Sequence, residues 1–98
     1  MALRKDFATG TKYYYDFVYN FIYIKDERIE FFIHRNVRDT SDVDYDENET
    51  SMHYTVNVSD FTGYFDTATL DLVGNNYLER CYQYLKDNVE SYNGWTDV

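Results

Sequence analysis

The chain has 98 residues, a mean hydropathy of -0.66 and a net charge of -9, from 18 acidic and 9 basic residues. This length predicts one domain with one core, and the aromatic share of 20% excludes a disordered chain, which would be poor in aromatic residues. The excess of acids argues against binding to nucleic-acid phosphates or to an anionic membrane surface. It permits a basic protein partner, or a protein that mimics nucleic acid.

The 12 tyrosines are more rings than a chain this short can bury with every hydroxyl satisfied. We therefore expect several of them at the surface or against partners, where tyrosine is enriched, or on a half-exposed sheet. Cys81 is the single cysteine, which excludes an internal disulfide and indicates a small core residue in a helix. The first residues lack the apolar run of a signal peptide, so we expect the chain to be made in a cytosol.

Residues 12–25 are predicted to form a long strand, because aromatic residues occupy alternate positions. The aromatic set is Tyr13, Tyr15, Phe17, Tyr19, Phe21 and Tyr23. The even positions hold Asp16, Val18, Asn20, Ile22 and Ile24. Two arrangements remain open: the helix covers the even face and leaves the rings for a partner, or it covers the rings and leaves Val18, Ile22 and Ile24.

A β-hairpin is predicted next, with a second strand at residues 29–37 whose Ile29, Phe31 and Ile33 share a face. Residues 39–50 are dominated by acids, serine and threonine, which is typical of a solvated loop. Residues 51–58 then alternate again and predict a third strand. Beyond it, Gly63 and Gly74 mark breaks around a segment that could hold a short strand or a packed turn.

A helix is predicted over residues 76–91. Asn76 and Glu79 have the spacing of a capping box, and Asn93-Gly94 is a typical helix stop. Apolar residues form one stripe at helical spacing: Leu78, Cys81, Tyr82, Leu85 and Val89. The predicted fold is therefore a single α+β domain, residues 1–98, with an antiparallel sheet of three to four strands covered on one face by this helix.

Motifs for catalysis or metal binding are weak. Asp42, Asp44, Asp46 and Asn48 have the alternation of a calcium loop, but the glycine and the final glutamate of such a loop are missing. His34 and His53 could bind a metal only if their strands were neighbours and a carboxylate joined them. The sequence has no catalytic triad, phosphate loop or zinc-protease motif. We therefore expect no enzymatic activity, no cofactor and no small-molecule substrate.

Trp95 follows the predicted helix stop. A tryptophan there either folds back onto the core or anchors a partner.

The two ends of the chain together resemble a group of short proteins of tailed bacteriophages. The start reads Met-Ala-Leu-Arg-Lys-Asp-Phe, residues 76–86 read Asn-Tyr-Leu-Glu-Arg-Cys-Tyr-Gln-Tyr-Leu-Lys, and the chain closes Trp-Thr-Asp-Val. The group shares a Met-Ala-Leu start and a C-terminal helix with a Tyr-x-Tyr-Leu-Lys run. The resemblance implies a virion protein, in the tail or baseplate, that is made in the host cytoplasm and contacts other virion proteins in a multi-copy assembly. It implies no catalytic residues.

Three functions are therefore considered, in this order: a structural virion protein, a small acidic inhibitor of a host defence or nucleic-acid enzyme, and a minor enzyme or metal protein built on the two histidines. For the first, the expected partner-contacting residues are Tyr13, Tyr15, Tyr19, Tyr23, Trp95, Asp42, Asp44 and Asp46.

Overall fold

The computed structural model of the chain describes residues 2–71 and 76–98. It is an α+β structure with a five-stranded antiparallel sheet. The strands are β1 (Leu3–Asp6), β2 (Lys12–Ile24), β3 (Arg28–Asp39), β4 (Asp42–Asn57) and β5 (Thr96–Asp97), and the helices are α1 (Thr67–Leu70) and α2 (Tyr77–Asn88). Two 3-10 turns, Val58–Asp60 and Glu90–Tyr92, follow β4 and α2.

The sheet order is β4-β3-β2-β1-β5, so β2 and β3 are central and β4 and β5 form the edges. The sequence predicted three to four strands, and the sheet has more because short strands at both ends of the chain join it. β1 pairs with β2, and the two-residue β5 pairs with β1. With 4 and 2 residues, these strands are too short for alternation to reveal them.

The hydrophobic core lies against one side of the sheet, here called the core face. Ile29, Phe31 and Ile33 of β3 are fully buried on it, as their alternation predicted. Residues from the strands, α2 and the chain end belong to the same buried cluster: Leu3, Ile29, Phe31, Ile33, Val56, Phe61, Phe65, Cys81, Tyr82, Leu85, Tyr92 and Trp95. The Tyr82 hydroxyl of α2 also accepts a hydrogen bond from the Val18 backbone N–H at 2.9 Å.

A β-bulge at Tyr19 divides β2. Val18 lies opposite Ile33 and Asn20 opposite Phe32, so Tyr19 is an extra residue without a partner in β3. One extra residue exchanges the two faces of a strand beyond it. Before the bulge, Tyr14, Asp16 and Val18 therefore point to the core face, whereas beyond it Phe21 and Tyr23 do, opposite Phe31 and Ile29. The prediction of one continuous aromatic face from Tyr13 to Tyr23 is wrong for this reason.

The loop predicted at residues 39–50 is also wrong, because most of that segment belongs to β4. β3 and β4 form a long hairpin that turns at Thr40–Ser41, and the acidic half of β4 pairs with the end of β3. Two irregularities interrupt the pairing, one near Glu49 and one between Asp42 and Asp46. Acidic side chains on an exposed edge strand remain in water, as they would in a loop. A composition rich in acids therefore did not distinguish a strand from a loop here.

The predicted helix is present as α2, and the Asn76 side chain caps it by accepting a hydrogen bond from the Glu79 N–H at 2.9 Å. The helix ends at Asn88, before the stop predicted at Asn93-Gly94. Gly94 instead has a φ of 82°, a left-handed conformation that glycine adopts without strain, and it redirects the chain toward Trp95 and β5. The break predicted at Gly74 lies outside the described residues.

Candidate functional site

The face of the sheet opposite the core carries a row of aromatic and basic side chains on β1–β4. We call it the open face and define it by Arg4, Tyr13, Tyr15, Phe17, Tyr19, Phe32, His34, Arg38 and His53. Directly opposed residues of antiparallel strands share a face, and Tyr13 opposes Arg38, Phe17 opposes His34, and Phe32 opposes His53. These positions alternate with the buried residues of the core face.

The rings of the open face contact one another across three strands. Tyr15 and Phe17 have centroids 5.9 Å apart, and Phe17 lies 5.7 Å from His34. Tyr19 stacks on His34 at 3.7 Å and lies 6.0 Å from Phe32, which stacks on His53 at 4.4 Å. The result is a continuous path of rings that runs from the central strands β2 and β3 to the edge strand β4.

Arginines cover the rings at one end of this row. The Arg4 guanidinium lies 3.9 Å from the centre of the Tyr13 ring, and the Arg38 guanidinium lies 3.7 Å from that of Tyr15. Both are cation–π distances. Arg38 also pairs with Asp46 of β4 at 3.5 Å, and Asn36 donates to the same carboxylate at 2.7 Å.

At the other end, the His53 ring lies beside Glu30, with Nε2 3.1 Å from Oε1. His34 Nδ1 lies 3.0 Å from the Ser51 hydroxyl. The two histidines therefore do occupy neighbouring strands, β3 and β4, but each is engaged with its own polar neighbour and its own ring.

No metal centre forms from these groups. Within residues 2–71 and 76–98, no set of three or more histidine, cysteine, aspartate or glutamate side chains is arranged to hold a metal ion. Cys81 is fully buried, and burial raises the pKa of its thiol to about 12. A thiol with that pKa is almost entirely protonated near neutral pH and is a poor nucleophile.

Of the tyrosines expected to contact a partner, Tyr13, Tyr15 and Tyr19 lie on the open face, whereas Tyr23 does not. Tyr23 lies on the other side, with its ring 6.3 Å from that of Tyr77 at the start of α2. Its exposed fraction, 48%, is close to the 45% of Tyr19. The bulge in β2 is what places these two tyrosines on opposite faces of the sheet.

Trp95 folds back onto the core, so the partner-anchor alternative does not describe it. It is 8% exposed, its ring stacks with that of Tyr14 at 6.1 Å, and it lies 4.9 Å from the Tyr92 ring. The Arg35 guanidinium lies 5.0 Å from the Trp95 ring centre. This packing fixes the C-terminal segment against the sheet.

The same region contains a buried ion pair that the alternation of β2 did not reveal. Asp16 is fully buried and accepts two hydrogen bonds of 2.9 Å from Arg35, from Nε and from Nη2, and one of 2.7 Å from the Tyr92 hydroxyl. The hydrogen bond to Asp16 raises the pKa of Arg35 above its already high ordinary value. Burial, and then the bond to Asp16, raises the pKa of Tyr92. These bonds satisfy a charge that would otherwise be costly to bury.

The predicted contact residues Asp42, Asp44 and Asp46 lie on β4, in a region that we call the acidic arm, residues 39–49. Its acids are Asp39, Asp42, Asp44, Asp46, Glu47 and Glu49, and it contains no lysine or arginine. A surface cleft lined by Tyr13, Arg38, Asp39 and Asp46 runs between the arm and the open face, which makes the two surfaces continuous. The oxygens of Asp42 and Asp46 are bonded within the protein, to the Asp44 N–H and to Asn36, which differs from a calcium loop.

Sequence reasoning placed Phe17 on the aromatic face without choosing it as a contact residue, and it did not place Phe32 or the two histidines beside these rings. Their alternation was visible, and the position of Phe32 between the buried Phe31 and Ile33 placed it on the other face. The missing information was the pairing of strands, which brings His53 beside Phe32.

Comparisons of the chain with protein-family models, with curated proteins and with solved structures find no match. The described part of the chain contains no helix of the length and apolarity needed to cross a membrane.

Proposed function

We propose that this chain is a non-enzymatic interaction domain and a structural component of a bacteriophage particle, in the tail or baseplate. The observation that supports it best is the open face, a row of rings that contact one another and two arginines across β1–β4. Tyr19, at its centre, is 45% exposed.

The physical argument is the free energy of burying these rings. An aromatic side chain against a partner removes a large apolar area from water, and tyrosine, tryptophan and arginine dominate the binding energy of interfaces. Phe17 and Phe32 lie on paired strands, and the Tyr19 and Phe32 rings stack on His34 and His53, so little side-chain freedom remains to be lost on docking. A face of this kind suits a flat protein surface better than a small molecule, which binds in concave sites.

We also propose that α2 is the element that covers the core face. Cys81, Tyr82 and Leu85 of α2 belong to the core cluster, and Tyr82 bonds to the backbone of β2 at Val18. With the helix on that side, the open face is the side available to a partner.

The placement in a phage particle rests on the resemblance of residues 1–7 and of the C-terminal quarter to small tail-associated proteins. Such a protein is made in the host cytoplasm and assembles in several copies with other virion proteins. A partly exposed aromatic surface agrees with that role.

Mass spectrometry of purified phage particles tests the proposal. We expect the chain in mature particles at a stoichiometry of several copies, and its absence from them would contradict the structural role. Phages carrying Tyr19→Ala or Tyr23→Ala then test the surface. The first should incorporate less of the chain and the second should incorporate it normally, because the two rings are matched in exposure and lie on opposite faces.

One observation favours the inhibitor as a second candidate: the acids of the arm are held on a strand rather than scattered along a flexible loop. Carboxylates at fixed spacing can compete with phosphates for a basic groove. Salt-sensitive inhibition of a host nuclease by the purified protein would support this function. Unchanged nuclease activity at saturating protein would exclude it for that enzyme.

A further inference from the structure

The open face and the acidic arm together indicate the chemistry of the partner. Arg38 connects them, because it lies over the Tyr15 ring at 3.7 Å and pairs with Asp46 of the arm at 3.5 Å. A partner that covers the rings therefore also lies within reach of the carboxylates.

The chain shows on itself how these rings bind cations. At the end of the row nearest the arm, Tyr13 and Tyr15 are each covered by an arginine of the chain. Farther along, Tyr19 stacks on His34, has no arginine over its ring in the described part of the chain, and is 45% exposed. The row thus continues beyond the arginines that the chain supplies, and a guanidinium or ammonium group from outside would extend the same pattern.

Charge selects among the possible occupants. A second copy would bring two surfaces of the same sign together, since each chain carries a net charge of -9. Single-stranded nucleic acid also stacks on aromatic sheets, but it needs a basic groove for its phosphates. The two arginines of the open face are already paired with Asp6 and Asp46, and the arm places further carboxylates beside the rings. A basic protein segment is complementary to both the rings and the arm.

We infer that the occupant of the open face is an extended basic segment of a partner protein, whose arginine or lysine side chains stack on Tyr19 and its neighbours and pair with the acidic arm. This inference rests on the proposed function, for which it names the partner's chemistry. An extended segment fits because Tyr13, Tyr15, Phe17 and Tyr19 follow β2, and a strand of about 13 residues, at ~3.3 Å per residue, is about as long as the 44 Å longest extent of the molecule.

Fluorescence anisotropy with the purified chain tests the inference. The probe is a labelled peptide of about 13 residues in which arginine and serine alternate. We expect saturable binding that weakens as salt rises, and that falls about three- to tenfold in Tyr19→Ala, as a lost cation–π contact predicts. Tyr23→Ala is the matched control and should bind as the wild type does.

Further variants separate the rings from the charge. Tyr19→Leu keeps an apolar side chain on β2 but removes the aromatic ring, so it should also weaken binding. It provides the same test if Tyr19→Ala perturbs folding. Replacing Asp39 and Asp46, the acids that line the cleft beside the open face, by Asn should reduce affinity and the salt dependence. Binding that depends on the acids but is unchanged in both Tyr19 variants would overturn the inference, because simple charge attraction would explain it.

Other outcomes identify other occupants. Stronger binding of an oligothymidine, of a peptide with glutamate in place of arginine, or of a second copy in sedimentation would each reject the basic segment. The result is separable from that of the particle experiment. If the chain is incorporated into particles through Tyr19 but does not bind the arginine peptide, the structural role is supported and this inference is rejected. If the chain is absent from particles but binds the peptide through Tyr19, this inference is supported and the structural role is rejected.

Discussion

Tyr19 and Tyr23 are the same residue on one strand, four positions apart and almost equally exposed, yet they lie on opposite faces of the sheet. A strict period of two places them together. The bulge at Tyr19 adds one residue to β2, and the side chains beyond it change sides. Tyr19 thereby joins His34 and Phe32 on the open face, and Tyr23 lies near Tyr77 over the core.

The comparison shows that the two faces share some features but differ in how far those features are exposed to solvent. Both have aromatic residues and both have an aspartate–arginine pair joining neighbouring strands. On the core face the pair is Asp16 with Arg35, and on the open face it is Asp46 with Arg38. The Asp16 side chain is 0% exposed and that of Asp46 is 46% exposed, so solvent screens only the second pair.

The largest expected effect comes from two separate deletions, one of Tyr19 and one of His34, the two residues whose rings stack on each other. Deletion of Tyr19 removes the bulge residue and leaves Val18 opposite Ile33 and Asn20 opposite Phe32, so the stability should change within about 1 kcal/mol. Deletion of His34 shifts one half of the regularly paired β3 by one residue, which moves its buried side chains to the open face and should unfold the chain. Circular dichroism during urea unfolding measures both. Equal tolerance of the two deletions would mean that the bulge does not set the register.

The next effect compares the two ion pairs. Asp16→Ala leaves the Arg35 charge and the Tyr92 hydroxyl without their buried acceptor, and we expect a loss of about 3–5 kcal/mol in the free energy of unfolding. Asp46→Ala should cost less than about 1 kcal/mol, because its pair with Arg38 is exposed. Urea denaturation gives both values. Similar small losses would show that the Asp16 pair is hydrated in solution.

These predictions also mark where sequence reasoning succeeded. The strands at Ile29–Ile33 and around Tyr54 follow from alternation alone, and α2 follows from its stripe and from Asn76. The bulge at Tyr19 was not predictable, because no glycine or change of composition marks it. The burial of Asp16 was not predictable either, because its partners, Arg35 and Tyr92, are 19 and 76 residues away in the chain. Sequence reasoning therefore predicted aromatic residues on the open face, but the extent that it predicted for this face along β2 is wrong.

A smaller effect uses Cys81 to report on the core face. Burial raises the pKa of its thiol to about 12, so a thiol reagent at pH 8 should react only when the core opens. The wild type, Tyr19→Ala and Tyr23→Ala should all be protected, whereas Asp16→Ala should be labelled faster. Mass spectrometry follows the labelling. Rapid modification of the wild type would contradict the burial of Cys81, and faster labelling in Tyr19→Ala would mean that the two faces are not independent.

The smallest expected effect lies at the acidic arm, where the open face ends. Hydrogen bonds from the Thr11 hydroxyl, and then from the Ser41 N–H and hydroxyl, hold the pKa of Asp39 below its usual value. A carboxylate with a lowered pKa stabilises the folded arm above its ordinary pKa, and this contribution disappears as the pH falls through the lowered value. Asp39→Asn should therefore speed the hydrogen exchange of the Ser41 amide near neutral pH, and the difference from the wild type should vanish in acid.

Thr11→Val removes the largest cause of the lowered Asp39 pKa and should return that pKa toward its ordinary value in a carbon-13 titration. An unchanged pKa in Thr11→Val would show that the β1–β2 turn does not fix the arm. The arm would then move independently of the open face, and a basic partner segment would meet the rings and the carboxylates as two separate surfaces.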